Sequence, residues 1–344
     1  MKRKKIVKEL LEIGGFCLLM AVLLFAISPI FVPKWIDSKF QHVTQIVRGF
    51  YAERKDSLDV VFIGDSNIYN GVSPQELWGD YGIASYDFAV PAACAWTDYY
   101  YFEEMVKYQH PQVVVLDVNG LTCAETQGEH RKIFDNLPLS ENKIRAMNDE
   151  RYGFSMNGKI GMFFQVIPFH SRFVELNSDD LRYAYGYENF DEKGYNLTTQ
   201  ILPYEGGDYM LNMDTQYELP AVAVEYFDKI VERAKQEDIQ LVLISVPSTK
   251  AWNLTKSVAA QNYANAHGLP YLDLNSRTAE LGLDWQTDTF DYGEHMNLSG
   301  AQKVTHFMGE YLKRNYELSD RREDAEYQDW KESYGRYLSD KEVQ

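Results

Sequence analysis

The fold is constrained most strongly by short, almost wholly apolar runs that recur along the chain. Four of them read DVVFIG (59–64), QVVVLDV (112–118), IQLVLISV (239–246) and LPYLDLN (269–275), and SYDFAV (85–90) is a weaker fifth. Runs of this length with flanking turn residues are typical of buried strands. Because they are apolar on both sides, they predict a parallel sheet that is covered on both faces.

Helical patterns separate these runs. Residues 98–108 precede the third run, 219–236 the fourth and 257–267 the fifth, and a further helix is expected over about 299–313. Strands that alternate with helices predict a doubly wound α/β domain, here over residues 58–315. Such sheets place their chemistry at the carboxyl ends of the strands, so candidate residues are sought there.

Two segments depart from this alternation. Between 120 and 217 the chain is aromatic and shows no regular pattern, and we interpret it as an insertion over the strand ends, suited to a lid or substrate wall. The segment 316–344 is highly charged. Its large aromatic residues recur at spacings of three and four, which predicts one face of a docked amphipathic helix: Tyr327, Trp330, Tyr334 and Tyr337.

The amino-terminus has the pattern of a membrane anchor. Five basic residues among the first eight precede an uncharged stretch over 13–33, and about 20 apolar residues span the hydrocarbon layer as a helix. Basic residues stay on the cytoplasmic side, which places the rest of the chain outside. The alternative is a signal peptide cut after Ser28, but Pro29 would hinder the cut and the apolar run is long. Residues 34–57 are expected to connect the anchor to the first strand.

Charge and cysteine content exclude several classes of protein. The net charge is −17, and residues 1–33 contribute +3 of it, so the remainder carries about −20. So acidic a surface repels phosphate backbones, and we expect no nucleic-acid partner. The sequence has neither a CxxC pair nor HExxH, so neither a metal nor a cofactor is expected. Cys94 and Cys123 could pair only in an oxidising compartment, and the sequence leaves this open.

The polar residues that follow the first strand and precede the last helix predict a nucleophilic site. The first strand runs into Gly64-Asp65-Ser66-Asn67, and residues 290–307 read FDYGEHMNLSGAQKVTHF. A serine placed at the sheet edge can present both its hydroxyl and its backbone amide to a substrate. Serine alone is a poor nucleophile and needs a base, usually a histidine oriented by a carboxylate. His295 can supply the base, because doubly wound topology brings the last loop beside the first.

GDSN after the first strand, together with HMNLSGA before a final helix, resembles the SGNH (GDSL-like) hydrolase superfamily. In detail the chain is similar to the membrane-anchored branch that includes DltD-like cell-wall acyl-transfer proteins and polysaccharide O-acetyltransferases. The resemblance implies a flavodoxin-like α/β/α sandwich, with Ser66 as nucleophile and His295 as general base. The acid of the family usually lies three residues before the histidine, where this chain has Tyr292. We therefore expect Asp291 to be the acid, with Asp288 and Glu294 as alternatives.

The oxyanion hole departs from the family pattern as well. The backbone amide of Ser66 is one expected donor, but the family's second block offers a glycine and FAVPAACAW has none. The amide of Ala92 or Ala93 would have to serve instead. Asn119, after VVVLDV, is the nearest match to the asparagine of the third block.

Three further residues are weaker candidates for substrate contact: Asn67, His170 and Arg172. The resemblance implies an extracytoplasmic serine esterase or O-acyltransferase that acts on acyl esters of envelope glycans or polymers, with a membrane acyl donor as a further partner. The alternative is a non-catalytic binding or scaffold protein with the same fold, which the missing glycine and the displaced acid favour.

Overall fold

The computed structural model describes residues 2–34, 43–125, 130–211 and 216–343. Residues 35–42, most of the first half of the predicted connector, therefore lie outside the described part. Within it the chain forms one five-stranded sheet, with helices before, between and after the strands.

The strands coincide with the five apolar runs. They are β1 (Val60–Ile63), β2 (Ser85–Asp87), β3 (Val113–Asp117), β4 (Gln240–Ser245) and β5 (Tyr271–Asp273). Every pair is parallel and the order is β2-β1-β3-β4-β5, the flavodoxin-like order. In register, Val60 lies opposite both Ser85 and Val113. Both central strands β1 and β3 are buried along their whole length, which confirms the predicted doubly wound sheet.

The helices form two layers around this sheet. α5 packs on α11, and α13 packs on α3 and α4. Right-handed crossovers place these two groups on opposite faces of the sheet. In chain order the helices are α1 (Lys2–Phe31), α2 (Val43–Ala52), α3 (Ser66–Gly71), α4 (Pro74–Tyr81), α5 (Ala95–Tyr108), α6 (His130–Asp135), α7 (Glu141–Asn148), α8 (Met156–Phe163), α9 (Val166–Phe169), α10 (Ser178–Tyr185), α11 (Ala221–Gln236), α12 (Leu254–His267), α13 (Leu298–Asn315) and α14 (Gln328–Val343).

Local sequence explains where these helices begin and end. Asn253 caps α12 by accepting a hydrogen bond from the backbone of Lys256, and Gly268 ends the helix in the left-handed conformation. α4 is bounded in the same way by Ser73 and Gly82. The four helices predicted from periodicity over 98–108, 219–236, 257–267 and 299–313 correspond to α5, α11, α12 and α13.

α1 contains the predicted anchor. It is the single helix among the described residues that is long and apolar enough to cross a membrane, and its apolar side chains are exposed. Its last turns contact the insertion. The guanidinium of Arg172 donates to the carbonyls of Phe31 and Val32, at 3.0 and 2.8 Å, and the Tyr185 hydroxyl donates to Ala26 O at 2.9 Å. Part of the insertion therefore packs around the end of α1 that leads into the α/β domain.

The charged carboxy-terminal segment docks through the predicted aromatic face. Tyr327 lies in a short 3-10 turn before α14, and Trp330 and Tyr337 on the helix are also buried. The Trp330 ring packs 5.1 Å from that of Trp78 on α4, while Tyr334 is half-buried. This helix covers apolar side chains that would otherwise face water.

Candidate active site

Ser66 stands at the carboxyl edge of the sheet because β1 turns directly into α3. Gly64 passes so close to Asp117 on β3 that an added Cβ would collide with its side chain. Asp65 then caps α3: its Oδ1 accepts from the backbone N of Asn67 at 2.8 Å. The serine is thus the first residue of a short buried helix. Its hydroxyl faces the cavity above the sheet.

His295 is carried on the loop between β5 and α13. Tyr292 and Gly293 both have positive φ, 64° and 89°, and together they turn the loop back on itself. The insertion braces this loop, because Leu298 N donates to Thr198 O at 2.8 Å and Tyr292 N donates to Leu202 O at 3.0 Å. The loop therefore has a fixed path over the strand ends.

Ser66, His295 and Asp291 meet in a continuous hydrogen-bonded chain. The Nε2 of His295 lies 2.7 Å from the Oγ of Ser66, and its Nδ1 lies 2.5 Å from Oδ2 of Asp291. The other oxygen of Asp291 accepts from the His295 backbone N at 2.7 Å. The two side chains of the histidine–aspartate pair are 13% and 18% exposed, so a substrate can still reach the serine side of the imidazole. This is the geometry in which a carboxylate fixes an imidazole that faces a serine hydroxyl.

The two alternative acids are engaged elsewhere. Asp288 is fully buried and accepts from Lys303 Nζ at 2.6 Å and Ser299 Oγ at 2.7 Å. Burial alone would raise the pKa of Asp288, but the hydrogen bonds from the Asp284 backbone and from Lys303 outweigh it, and the pKa is lowered. Glu294 lines the cavity, is partly exposed and pairs with Lys250 at 2.8 Å. Of the three carboxylates, Asp291 is the one that contacts the imidazole.

The expected oxyanion donors surround the serine hydroxyl. Ser66, Ala92, Ala93 and Asn119 all line the same cavity. Ala92 has φ = 53°, the left-handed region that favours glycine, so the loop keeps a glycine-like path without a glycine. The side-chain amide of Asn119 donates to Oδ2 of Asp65 at 2.6 Å, which fixes its orientation and leaves one N–H for a ligand.

This cavity has a volume of about 440 Å³. Cys94, after β2, and Cys123, after β3, form a disulfide on its wall and so resolve the question that the sequence left open. The bond ties together the two loops that carry Ala92 and Asn119. It therefore fixes the amides of Ala92 and Ala93 relative to the side chain of Asn119.

Two buried carboxyl groups lie beneath the serine. Burial, together with the neighbouring Asp65, raises the pKa values of Asp98 and Asp117 well above the usual range. Neither oxygen of Asp98 has a hydrogen-bond partner within the described part of the chain. Carboxyls that keep their protons add no negative charge behind the position at which an oxyanion would form.

Two lysines on the segment after β4 were not anticipated from the sequence. Lys250 and Lys256 line the cavity, and Lys256 Nζ donates to Ala251 O at 2.7 Å between the rings of Trp252 and Tyr217. Burial lowers the pKa of Lys256. The rule that ligands bind outside the carboxyl ends of the strands points to this segment, because it directly follows β4.

The structure places one of the three weaker candidates at the cavity and the other two elsewhere. Asn67 lines the cavity, and its side-chain oxygen is buried with no partner among the described residues. His170 instead lies at the surface and contacts the carbonyl of Ile167 at 2.8 Å. Arg172 binds the end of α1, as described above. Neither of the last two is among the described residues that line the cavity, and no sequence signal distinguished them from Asn67.

Asp291, Glu294 and His295 are close enough to share a cation, since their ligand atoms lie within 4.8 Å of one another. Each already has a partner in the structure. Both ring nitrogens of His295 are engaged by Asp291 and Ser66, and Glu294 is paired with Lys250. A metal would have to break these contacts, so the cluster is better described as a hydrogen-bonded arrangement than as a metal centre.

No protein-family model and no curated protein matches this sequence. Two solved structures are similar in chain trace. One, from Bacteroides fragilis, is described as a candidate acylhydrolase; it shares 11% identity at a TM-score of 0.36, over 81% of this chain and 96% of that one. The other, a GDSL-like lipase from Bacteroides thetaiotaomicron, shares 11% identity at a TM-score of 0.39, over 80% and 100%. With TM-scores this low, neither neighbour bears on the chemistry of this chain.

Proposed function

We propose that the chain is a membrane-anchored serine esterase or O-acyltransferase. The observation that supports this best is the unbroken Ser66–His295–Asp291 chain, with contacts of 2.7 and 2.5 Å, at the wall of a cavity. Residues 229 positions apart meet here in an arrangement that turns a serine hydroxyl into a nucleophile. The resemblance to the SGNH superfamily implies the same nucleophile, Ser66, and the same base, His295.

The proposed reaction proceeds through an acyl-enzyme. His295 Nε2 takes the proton of Ser66 as Oγ attacks the carbonyl carbon of an acyl ester. The resulting oxyanion is received by the backbone N–H of Ser66, by that of Ala92 or Ala93, and by the side-chain amide of Asn119. As the intermediate collapses, the ester C–O bond breaks and His295 returns the proton to the leaving alcohol. Water or an acceptor hydroxyl then attacks the acyl-enzyme carbonyl while His295 takes its proton. The bond between Ser66 Oγ and the acyl carbon breaks, and His295 returns the proton to Ser66.

The substrate we infer is an acyl ester of an envelope glycan or polymer outside the cell. The support is the anchor, which would hold the cavity near the membrane, and a cavity of about 440 Å³ open to large substrates. A membrane-bound acyl donor would be the natural partner of such an enzyme. A net charge of −17 speaks against nucleic acid as a substrate.

The placement of the domain outside the membrane makes the first testable prediction. Protease added to spheroplasts is expected to digest the chain beyond α1, because five basic residues hold its start on the cytoplasmic side. An epitope fused before Lys2 should survive in the same sample, and a cytoplasmic marker protein should remain intact. If the α/β domain is protected in intact spheroplasts and is digested only after the spheroplasts are lysed, this orientation is contradicted.

The second prediction concerns the fate of the acyl group. The insertion supplies one wall of the cavity through residues 122–125, which favours exclusion of water and hence transfer over hydrolysis. Full-length enzyme in detergent micelles, given an activated acyl ester and a glycan acceptor, is expected to acylate the glycan and release little free acid. Ser66→Ala should form neither product. If free acid dominates at saturating acceptor, the protein is an esterase.

A non-catalytic scaffold is the second candidate, and the absence of a glycine at the second block favours it. The two candidates are separated by a fluorophosphonate probe, which labels only an activated serine. Labelling of the wild-type protein but not of Ser66→Ala supports the enzyme. A wild-type protein that is folded but resists the probe supports the scaffold.

A further inference from the structure

A second cavity, of about 250 Å³, lies where the end of α1 meets the insertion. We call it the juxtamembrane cavity. Phe25 and Pro29 of α1 line one side, and Met162 and Phe163 of α8 line another. It is separate from the proposed active site, since none of the described residues that line one cavity also lines the other.

Two cationic side chains line this cavity although both are almost fully buried. Arg48 of α2 is 8% exposed and Lys143 of α7 is 4% exposed. The guanidinium of Arg48 donates to Gly186 O at 3.2 Å, and its Nε has no partner within the described ranges. Lys143 Nζ donates to Leu137 O at 2.8 Å. Carbonyl oxygens satisfy some of these donors but do not neutralise their charge.

The nearest carboxylates are already paired with other cations. Asp135, the acidic residue among those lining the cavity, receives two hydrogen bonds from Arg131, at 3.0 and 3.2 Å. Asp180 pairs with Arg172 at 2.9 Å. Arg48 and Lys143 form no ion pair with any described residue. Asp135 and Glu104 act on Lys143 only at longer range, and each of these carboxylates has a closer cationic partner.

Lys34, just after α1, adds a third buried cation beside this cavity. It is 5% exposed and donates to the carbonyls of Pro29 and Val32 at 2.7 and 2.8 Å. Burial, followed by repulsion from Arg48, lowers its pKa to about 7, and burial lowers the pKa of Lys143 to about 8. Buried basic groups without a directly paired counter-ion are costly and are expected where an anion binds.

The surroundings of the cavity indicate where that anion comes from. Next to the end of α1, the insertion exposes large apolar side chains that we call the apolar collar: Ile167, Phe173, Val174, Leu181 and Tyr185. They are between 52% and 72% exposed. The collar adjoins α1 directly, because Tyr185 donates to the carbonyl of Ala26 and the backbone N of Val166 donates to Ser28 Oγ at 3.3 Å. An apolar surface continuous with a membrane-length helix belongs at the lipid interface.

We propose that the juxtamembrane cavity binds the phosphate group of an anionic phospholipid of the outer leaflet, with Arg48 and Lys143 as its ligands and the apolar collar against the acyl chains. The proposal rests on the membrane placement given under the proposed function. It does not depend on the chemistry of Ser66. Bound lipid would place a negative charge in direct contact with Arg48 and Lys143, and would fix the α/β domain at one orientation to the membrane.

Thermal unfolding of the full-length chain in neutral detergent micelles tests this. Added phosphatidylglycerol should raise the Tm by about 5 °C at saturation, and phosphatidylcholine or inorganic phosphate by less than about 1 °C. The variant Arg48→Gln/Lys143→Gln should lose most of the phosphatidylglycerol shift. Lys235→Gln, which removes an exposed lysine on α11, is the matched control and should keep it. Native mass spectrometry should find a retained phosphatidylglycerol on the control and not on the double variant.

The lipid-free state distinguishes binding from a purely structural role. Because neither side chain has a direct ion-pair partner among the described residues, loss of Arg48 and Lys143 should leave the Tm in lipid-free micelles unchanged or higher. If the double variant keeps the full shift and the retained lipid, or if inorganic phosphate reproduces the shift, the lipid site is refuted. If the double variant fails to fold, native mass spectrometry of the single variant Lys143→Gln tests the proposal instead. Ser66→Ala should bind lipid normally, so failure of the proposed catalysis and failure of this proposal are separable.

Discussion

Replacement of Ser66 by Ala, or of His295 by Ala, is expected to lower kcat/KM for an acyl ester by about 10⁴-fold or more. The reason is that the two side chains act together through the 2.7 Å contact between Nε2 and Oγ. The hydroxyl cannot attack without the base, and the base has no other proton to take. The double variant should therefore lose little more than either single variant. The measurement is the steady-state rate on a p-nitrophenyl ester with full-length protein in micelles.

Two control variants isolate this effect from general damage. Ser276→Ala removes an exposed serine that follows β5, and His306→Ala removes an exposed histidine on α13. Both should keep activity near the wild-type value, since surface substitutions rarely disturb a distant site. Losses that multiply in the Ser66/His295 double variant would mean that the two residues act independently, and the proposed triad would be wrong.

The sheet was predictable because its strands are buried on both faces. A strand such as β3 must then be apolar at successive residues, and this leaves a short apolar run between turn residues in the sequence. β2 gave the weakest signal, and it is also short: three residues at one edge of the sheet, paired with β1 alone. Its residue Asp87 is buried with a raised pKa, which apolar patterning does not anticipate.

The two ends of the site were predictable because each depends on local structure. Asp65 is the N-cap of α3 and directly precedes Ser66, and Asn297 is the N-cap of α13, two residues after His295. Both site residues therefore lie beside a helix start that the local sequence specifies. The choice of acid is different. It depends on positive φ at Tyr292 and Gly293 and on bracing by the insertion, and these are properties of the folded loop.

The rest of the site depends on contacts between residues far apart in the chain. The disulfide joins Cys94 to Cys123 because the loops after β2 and β3 meet at one sheet edge. Two isolated cysteines in a sequence do not indicate that their loops meet. Arg172 is similar: in the sequence it is a polar residue of the insertion, and only the packing of the insertion on α1 gives it the carbonyls of Phe31 and Val32 as partners. Periodicity describes single elements and leaves such pairings undetermined.

Asp291→Asn is expected to lower the rate by about 10³- to 10⁴-fold, because an amide in its place stabilises the wrong tautomer of the imidazole. The 2.5 Å contact with Nδ1 ties the Asp291 carboxylate directly to the base. Since the Asp291 side chain is 18% exposed and lies outside the apolar core, the protein should unfold at nearly the wild-type temperature. The loss should therefore be one of rate, with the fold intact.

Asp288→Asn is the matched substitution, because Asp288 lies three residues before Asp291 and its carboxylate pairs with Lys303, outside the triad. Asp288 is fully buried, and its bonds to Lys303, Ser299 and the Asp284 backbone join the loop to α13, so its loss should cost about 3 kcal/mol of unfolding free energy. Activity per folded molecule should nevertheless stay within about tenfold of wild type when assayed well below the midpoint. Glu294→Gln breaks a surface pair with Lys250 and should change neither quantity much.

The three variants together decide which carboxylate orients His295. Rate and unfolding midpoint are measured on each, and the two quantities should separate: Asp291→Asn lowers the rate at an unchanged midpoint, and Asp288→Asn lowers the midpoint at a nearly unchanged rate. The opposite result, with Asp288→Asn inactive while still folded, would assign the acid to Asp288. It would also mean that the loop held by Thr198 and Leu202 moves before the reaction, because the structure places the Asp288 carboxylate on Lys303, away from the imidazole.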